Sequence, residues 1–244
     1  MKTDPNTHKL EAIKEQALSL MKSAGFPLTG EIAVELAPEL PFMGYTTERE
    51  GKPVIVVSGM AMKGSLAINL LIHEMSHVYR LQSGHPSHDQ QLLTTITAWV
   101  MHGQVVLPYQ EKILQSILNN IQDLYADDIS FAIFDKQENL NEFFMGWIHE
   151  PVRPTTQEKK WENAERLLST AFAEGNLERH QVADTGDKVH NAIKEFLMQS
   201  DKRVAAKYDY FKNLMVALPE KVTEREFEKL ITKYLSEFLK LTKV

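Results

Sequence analysis

Residues 66–80 read Leu-Ala-Ile-Asn-Leu-Leu-Ile-His-Glu-Met-Ser-His-Val-Tyr-Arg, the most apolar helical segment that also carries ionisable residues. It is apolar on nearly all sides, which predicts a helix that is buried among other elements. An HExxH pattern, His73-Glu-Met-Ser-His77, stands inside this apolar helix. The remaining elements must therefore enclose a helix that carries polar groups into the interior.

The spacing of the two histidines is that of a metal-binding pair. His73 and His77 are four residues apart, so they project from one helical face about one turn apart. Glu74 lies roughly 100° around the helix, where it can accept a proton from a zinc-bound water without binding the metal. The competing interpretation is a pair of core histidines that are hydrogen-bonded to neighbours. Burial of these groups would cost several kcal/mol unless they were paired or metal-bound, which favours the metal.

A catalytic zinc normally takes three protein ligands and keeps one position open, so a third ligand is expected. The metzincin pattern would require a histidine at position 83, where this chain has Ser83. A gluzincin-type arrangement takes a carboxylate from a later helix instead. Residues 122–128 read Gln-Asp-Leu-Tyr-Ala-Asp-Asp on a predicted helix over 109–134, and they offer Asp123 and Asp127.

The segment Asp123-Leu-Tyr-Ala-Asp127, with an apolar strand at 54–57 running into the zinc helix, resembles the ExxAD signature of a gluzincin group. That group contains the CAAX prenyl proteases and the heat-shock membrane peptidases. The resemblance covers roughly residues 50–135, lacks the membrane helices of that group and does not extend past residue 151. It implies a zincin-like metallopeptidase in which Asp123 is the third zinc ligand and Asp127 supports the site. The departure is Asp for Glu, which requires a closer helix and leaves Asp127 as a competing ligand.

Further candidates lie outside this pattern. His85 and His88, in the loop after the zinc helix, could replace the carboxylate as third ligand or line the cleft, although loop histidines are more often merely exposed. His149 could stabilise an oxyanion. Asp128 falls in an apolar stripe of its helix, where a charge needs a partner.

The rest of the chain predicts an α+β fold that is mostly α. Short β-prone runs at 32–36 and 54–57, separated by a charged turn at 47–52, predict a small N-terminal sheet before the zinc helix. Helical spacing recurs at 158–172, 187–198, 204–216 and 223–241. A proline-rich joint near residue 151 suggests a zincin-like metallopeptidase domain over 1–150 and a helical C-terminal region over 151–244.

Composition restricts the function further. The 244 residues are 43% hydrophobic with a net charge of −6, and none is cysteine, so disulfides, thiolate metal sites and cysteine nucleophiles are excluded. Lys and Glu are interspersed without a basic block, which disfavours nucleic-acid binding. The N-terminal residues are too charged for a signal-peptide core and no run is long enough to cross a bilayer, so a cytoplasmic location is expected.

Together these features predict a peptidase with one zinc ion that hydrolyses a peptide or protein substrate, with Glu74 as general base. The strand at 54–57 is expected to present an open edge along which an extended substrate adds. The alternative from another class is a zinc-stabilised, non-proteolytic interaction module whose C-terminal helices bind a partner. A different metal-dependent hydrolase on the same scaffold is the weaker third alternative.

Overall fold

The computed structural model describes residues 5–63, 66–103, 105–133 and 145–243. Helices predominate and a small sheet precedes most of them, so the predicted α+β, mostly α fold class is confirmed. The strands are β1 (Ala33–Ala37), β2 (Gly44–Arg49) and β3 (Lys52–Ser58). The helices are α1 (Pro5–Ser23), α2 (Leu66–Gln82), α3 (Gln90–Val100), α4 (Pro108–Ile133), α5 (Gln157–His180), α6 (Lys188–Gln199), α7 (Lys202–Ala205), α8 (Tyr208–Ala217) and α9 (Glu224–Leu241).

The sheet has the order β1-β3-β2. β1 runs parallel to β3, with Ala33 opposite Val54, and β2 runs antiparallel to β3, with Gly44 opposite Val57. β3 is therefore the central strand, and the prediction that residues 54–57 present an open edge is wrong. The continuous apolar run of β3 is typical of a strand that is buried on both faces.

β2 was not predicted. Residues 47–52 were interpreted as a charged turn, but the turn itself is confined to Glu50 and Gly51, which have φ angles of 53° and 74°. This two-residue turn with positive φ at both positions is the usual connection of a tight hairpin. β2 thus belongs to a β2–β3 hairpin and forms an outer strand of the sheet.

The described contacts divide the chain into two compact units. The first contains residues 1–88 and 125–135. Its core lies where α2 packs against α1 and against β2 and β3, and it includes Leu71, Ile72, Met75 and Val78 of α2, each at most 2% exposed. The buried helix predicted from residues 66–80 is confirmed.

The second unit contains residues 89–124 and 136–244 and is helical wherever the structure describes regular elements. α5 packs closely on α8, where an added Cβ at Gly175 would lie 3.2 Å from the Lys212 carbonyl oxygen. α9 begins with a capping box formed by Thr223 and Glu226. Helices are present in each region predicted after residue 155, but the single helix predicted over 204–216 is divided into α7 and α8. The predicted boundary at residue 150 stays a prediction. No helix in the described ranges combines the length and apolar character needed to cross a membrane.

Candidate metal centre

The two histidines of the HExxH pattern face each other on α2. Their Nε2 atoms lie 3.2 Å apart, and their rings meet edge to face with centroids 4.8 Å apart. Two ligand atoms at 2.0–2.1 Å from a tetrahedral zinc are separated by about 3.3 Å. His73 and His77 are therefore already spaced as two ligands of one ion.

Asp123 on α4 joins this pair. One potential ligand atom from each of His73, His77 and Asp123 lies within 4.8 Å of the other two, and all three residues are partly buried. Within the described residues, this group could hold a metal ion. Two imidazoles with one carboxylate form a donor set that suits zinc.

Asp127 occupies a different position, one helical turn after Asp123. Its Oδ1 atom lies 2.9 Å from His73 Nδ1, and the residue is 4% exposed. A carboxylate oxygen accepts hydrogen bonds, so Nδ1 of His73 donates, and in the neutral ring its Nε2 keeps a lone pair. Metal-binding histidines usually donate their second ring N–H to such a partner, so this geometry fits the supporting role that the sequence resemblance implied for Asp127.

Small side chains let α4 approach α2 here. Ser76 Oγ lies 3.3 Å from Ser130 Oγ, and Ala126 is fully buried. Each serine hydroxyl also donates to a carbonyl of its own helix, that of Ile72 for Ser76 and that of Ala126 for Ser130. The close approach that an aspartate ligand needs is therefore available.

Glu74 is 7% exposed and is absent from the group of three potential ligands. Its Oε2 atom accepts a hydrogen bond of 2.7 Å from Thr46 Oγ1 on β2. Thr46 therefore fixes the carboxylate against the outer strand of the sheet. The sequence contained no signal for this contact because Thr46 lies 28 residues before Glu74 in a strand that was not predicted.

His85 and His88 are not in the group that could hold the metal. Residues Pro86–His88 form one turn of 3-10 helix, which places His88 Nε2 2.8 Å from His77 Nδ1. His88 therefore contacts the ring nitrogen of His77 that does not face His73. The His85 ring packs on Tyr125 at a centroid distance of 4.6 Å. Both histidines are partly buried, so they are not the exposed loop residues that the sequence favoured.

Ser87 links the two loop histidines. Its Oγ atom lies 2.7 Å from His85 Nδ1 and 2.8 Å from His88 Nδ1. Burial, followed by the charges of His77 and His85, lowers the pKa of His88 to about 2. The His88 ring is therefore neutral throughout the physiological range.

The buried charge of Asp128 has a partner in Arg80. The Asp128 Oδ2 atom lies 3.8 Å from Arg80 Nη2, and Arg80 Nε donates to the Tyr125 carbonyl oxygen at 2.9 Å. Arg80 is itself 6% exposed. This pair fixes α2 to the part of α4 that carries Asp127. By contrast, His149 is exposed and belongs to no metal-binding group within the described residues.

A protein family covers nearly the whole chain. Its model matches residues 18–240, and the chain belongs to this family, which is described as a family of unknown function (DUF5781). No curated protein and no solved structure matches the chain. The chemistry of the chain is therefore inferred from its site.

Proposed function

We propose that the chain is a zinc-dependent peptidase in which His73, His77 and Asp123 hold one ion and Glu74 is the general base. The observation that carries the proposal is the group of three potential ligand atoms within 4.8 Å of one another on two packed helices. The hydrogen bond from His73 Nδ1 to Asp127 supports it because it leaves the Nε2 lone pair directed at His77.

The arrangement favours catalysis over a purely structural ion. Structural zinc sites are closed by four protein ligands, whereas the group found among the described residues supplies three, which would leave one position open. His73, His77 and Asp123 would hold the zinc ion, and its chemistry there would be to lower the pKa of a bound water and to polarise a carbonyl group. Glu74, held by Thr46, would take the proton of the attacking water and return it to the leaving amine.

The outer strand β2 supports a peptide as substrate. The Met43 carbonyl accepts a hydrogen bond of 2.9 Å from the Ser58 N–H, and hydrogen-bonded pairs alternate along an antiparallel ladder. The backbone groups of Gly44, Thr46 and Glu48 therefore point away from β3. No strand within the described ranges pairs with this edge. An extended peptide that adds to β2 would lie beside Thr46, and thus beside Glu74.

The decisive variant is Glu74→Gln. Untagged full-length protein, purified without chelator and supplied with zinc, is incubated with a peptide mixture, and products are identified by mass spectrometry. We expect the parent to cleave internal peptide bonds and the variant to lose roughly 10²–10⁴-fold in rate, with its zinc content unchanged. Glu15→Gln, at an exposed position of α1 away from β2 and the candidate metal centre, is the matched control and should keep the parent's rate.

Two outcomes would contradict the proposal. Absence of zinc in the parent after zinc is supplied would exclude the metal centre. Hydrolysis that persists undiminished in Glu74→Gln would exclude the assigned base.

A zinc-stabilised interaction module is the second candidate. It is favoured by exposed apolar side chains in the second unit, where Trp99 is 68% and Val105 is 87% exposed. Under this alternative neither the parent nor Glu74→Gln would cleave any peptide, both would contain zinc, and a Trp99→Ser variant would lose partner binding.

A further inference from the structure

A chain of hydrogen bonds runs away from the candidate metal centre behind His77. His77 Nδ1 lies 2.8 Å from His88 Nε2, and His88 Nδ1 lies 2.8 Å from Ser87 Oγ. Ser87 Oγ in turn lies 2.7 Å from His85 Nδ1, which also accepts the Ser87 backbone N–H at 3.3 Å. The hydrogen-bonding role of His85 Nδ1 in this chain is therefore fixed.

The role of His85 Nδ1 determines which atom donates in each hydrogen bond between His85 and His77. A backbone N–H can only donate, so His85 Nδ1 is an acceptor. The Ser87 hydroxyl must then donate its one hydrogen to His85, and its oxygen accepts from His88 Nδ1. A neutral imidazole has one donor and one acceptor nitrogen, so His88 Nε2 accepts from His77 Nδ1.

The consequence for His77 concerns its other nitrogen. With the hydrogen on Nδ1, Nε2 of His77 keeps its lone pair, 3.2 Å from Nε2 of His73. Asp127 imposes the same tautomer on His73 from the other side. Two lone pairs at this distance repel each other unless a shared proton or a metal ion lies between them, so the pair has the spacing that a metal ion requires.

We propose that His88, held by Ser87 and His85, is a positioning residue that fixes His77 in its metal-binding tautomer before the ion arrives. The inference rests on the proposed metal centre but assigns a role to residues outside it. The usual partner of a metal-binding histidine is a carboxylate, a backbone carbonyl or water. A histidine does the same here without adding a further carboxylate to the site.

The tautomers are measured directly in the metal-free full-length protein by ¹⁵N NMR of histidine-labelled samples, with assignments from single His→Gln variants. We expect the hydrogen on Nδ1 of His77 and His88 and on Nε2 of His85. A hydrogen on Nε2 of His77, or averaging of its two forms, would overturn the inference. In Ser87→Ala, His88 loses its acceptor, and its two tautomers should both become populated.

Zinc affinity separates a hydrogen-bonding role from simple packing. His88→Leu keeps bulk but removes the acceptor, and we expect its dissociation constant, measured by competition with a chromophoric chelator, to rise by roughly 10–100-fold. His88→Gln offers its amide oxygen near the position of Nε2 and should restore most of the affinity. His102→Leu, at an exposed histidine, is the matched control and should bind as the parent does.

The two proposals fail in different ways. A parent that binds no zinc refutes the metal centre and with it the proposed function. A parent that binds zinc, with His88→Leu equal to it in affinity, refutes the positioning role alone. Should His88→Leu fail to fold, His88→Gln and Ser87→Ala carry the comparison by NMR.

Discussion

Two aspartates one helical turn apart on α4 take different positions around the histidine pair. Asp123 contributes an atom to the group that could hold an ion, whereas Asp127 accepts a hydrogen bond from His73 Nδ1. Loss of a metal ligand and loss of a supporting hydrogen bond lower the affinity for the metal by different amounts. Metal affinity can therefore distinguish the two side chains.

We expect Asp123→Ala to weaken zinc binding more than Asp127→Ala, because the first removes a ligand and the second removes the partner of a ligand. The loss for Asp127→Ala should be roughly 10–100-fold. Asp127→Asn should recover part of that loss, since its amide oxygen can still accept from His73 Nδ1. The dissociation constants are measured by competition with a zinc chelator.

Glu111→Ala serves as the control for removal of a carboxylate from the same helix, because Glu111 is exposed in the first turn of α4. It should bind zinc like the parent. A larger loss for Asp127→Ala than for Asp123→Ala would reverse the assignment of the two aspartates.

The sequence could predict which residue types form the site but not which of the two aspartates plays which part. Asp123 and Asp127 differ by four residues, so they share a helical face and no periodicity separates them. Thr46 and the position of His88 depend on contacts between distant or irregular segments. Such contacts follow from how β2 and the loop after α2 pack, which a local pattern does not contain.

Among the helices and strands, those with a strong apolar pattern could be predicted from the sequence. α2 and β3 are rich in buried apolar residues and were predicted close to their observed bounds. β2 reads Gly-Tyr-Thr-Thr-Glu-Arg, which lacks the alternation of a half-buried strand, and it was missed. Its place is determined instead by pairing with β3 and by the approach of α2.

Gly44 is the residue that allows this approach. A Cβ at position 44 would lie 2.5 Å from the Val56 carbonyl oxygen and 2.8 Å from a methyl group of Leu70 on α2. We expect Gly44→Ala to push β2 away from both elements, to reduce the free energy of unfolding by about 1–3 kcal/mol and to weaken the bond between Thr46 and Glu74. Urea unfolding and amide hydrogen exchange of β2 measure these effects.

Glu48→Ala on the same strand provides the comparison, because the Glu48 side chain is exposed and its removal creates no overlap. Its stability should stay close to that of the parent. If Gly44→Ala were equally stable, β2 would have to lie farther from α2 than this structure places it.

For the whole molecule, the candidate ligands link segments that are far apart in the sequence. His73 and His77 belong to α2, and Asp123 belongs to α4 some 46 residues after His77. An unfolded chain does not hold these groups together, so an ion that binds the group favours the folded state. Metal binding should therefore appear as a gain in stability.

We expect zinc to raise the melting temperature of the full-length parent and a chelator to reverse the rise. At a free zinc concentration of 100 times the dissociation constant, the gain is about 2.7 kcal/mol. For a chain of this size that corresponds to a rise of roughly 5–10 °C, measured by scanning calorimetry. Magnesium, which prefers oxygen ligands, should have little effect on the melting temperature.

His77→Ala should show almost none of the zinc-dependent rise, because the pair of imidazoles is broken. An equal rise in His77→Ala would place the stabilising zinc elsewhere on the chain, and no rise in the parent would argue against a metal centre on α2 altogether.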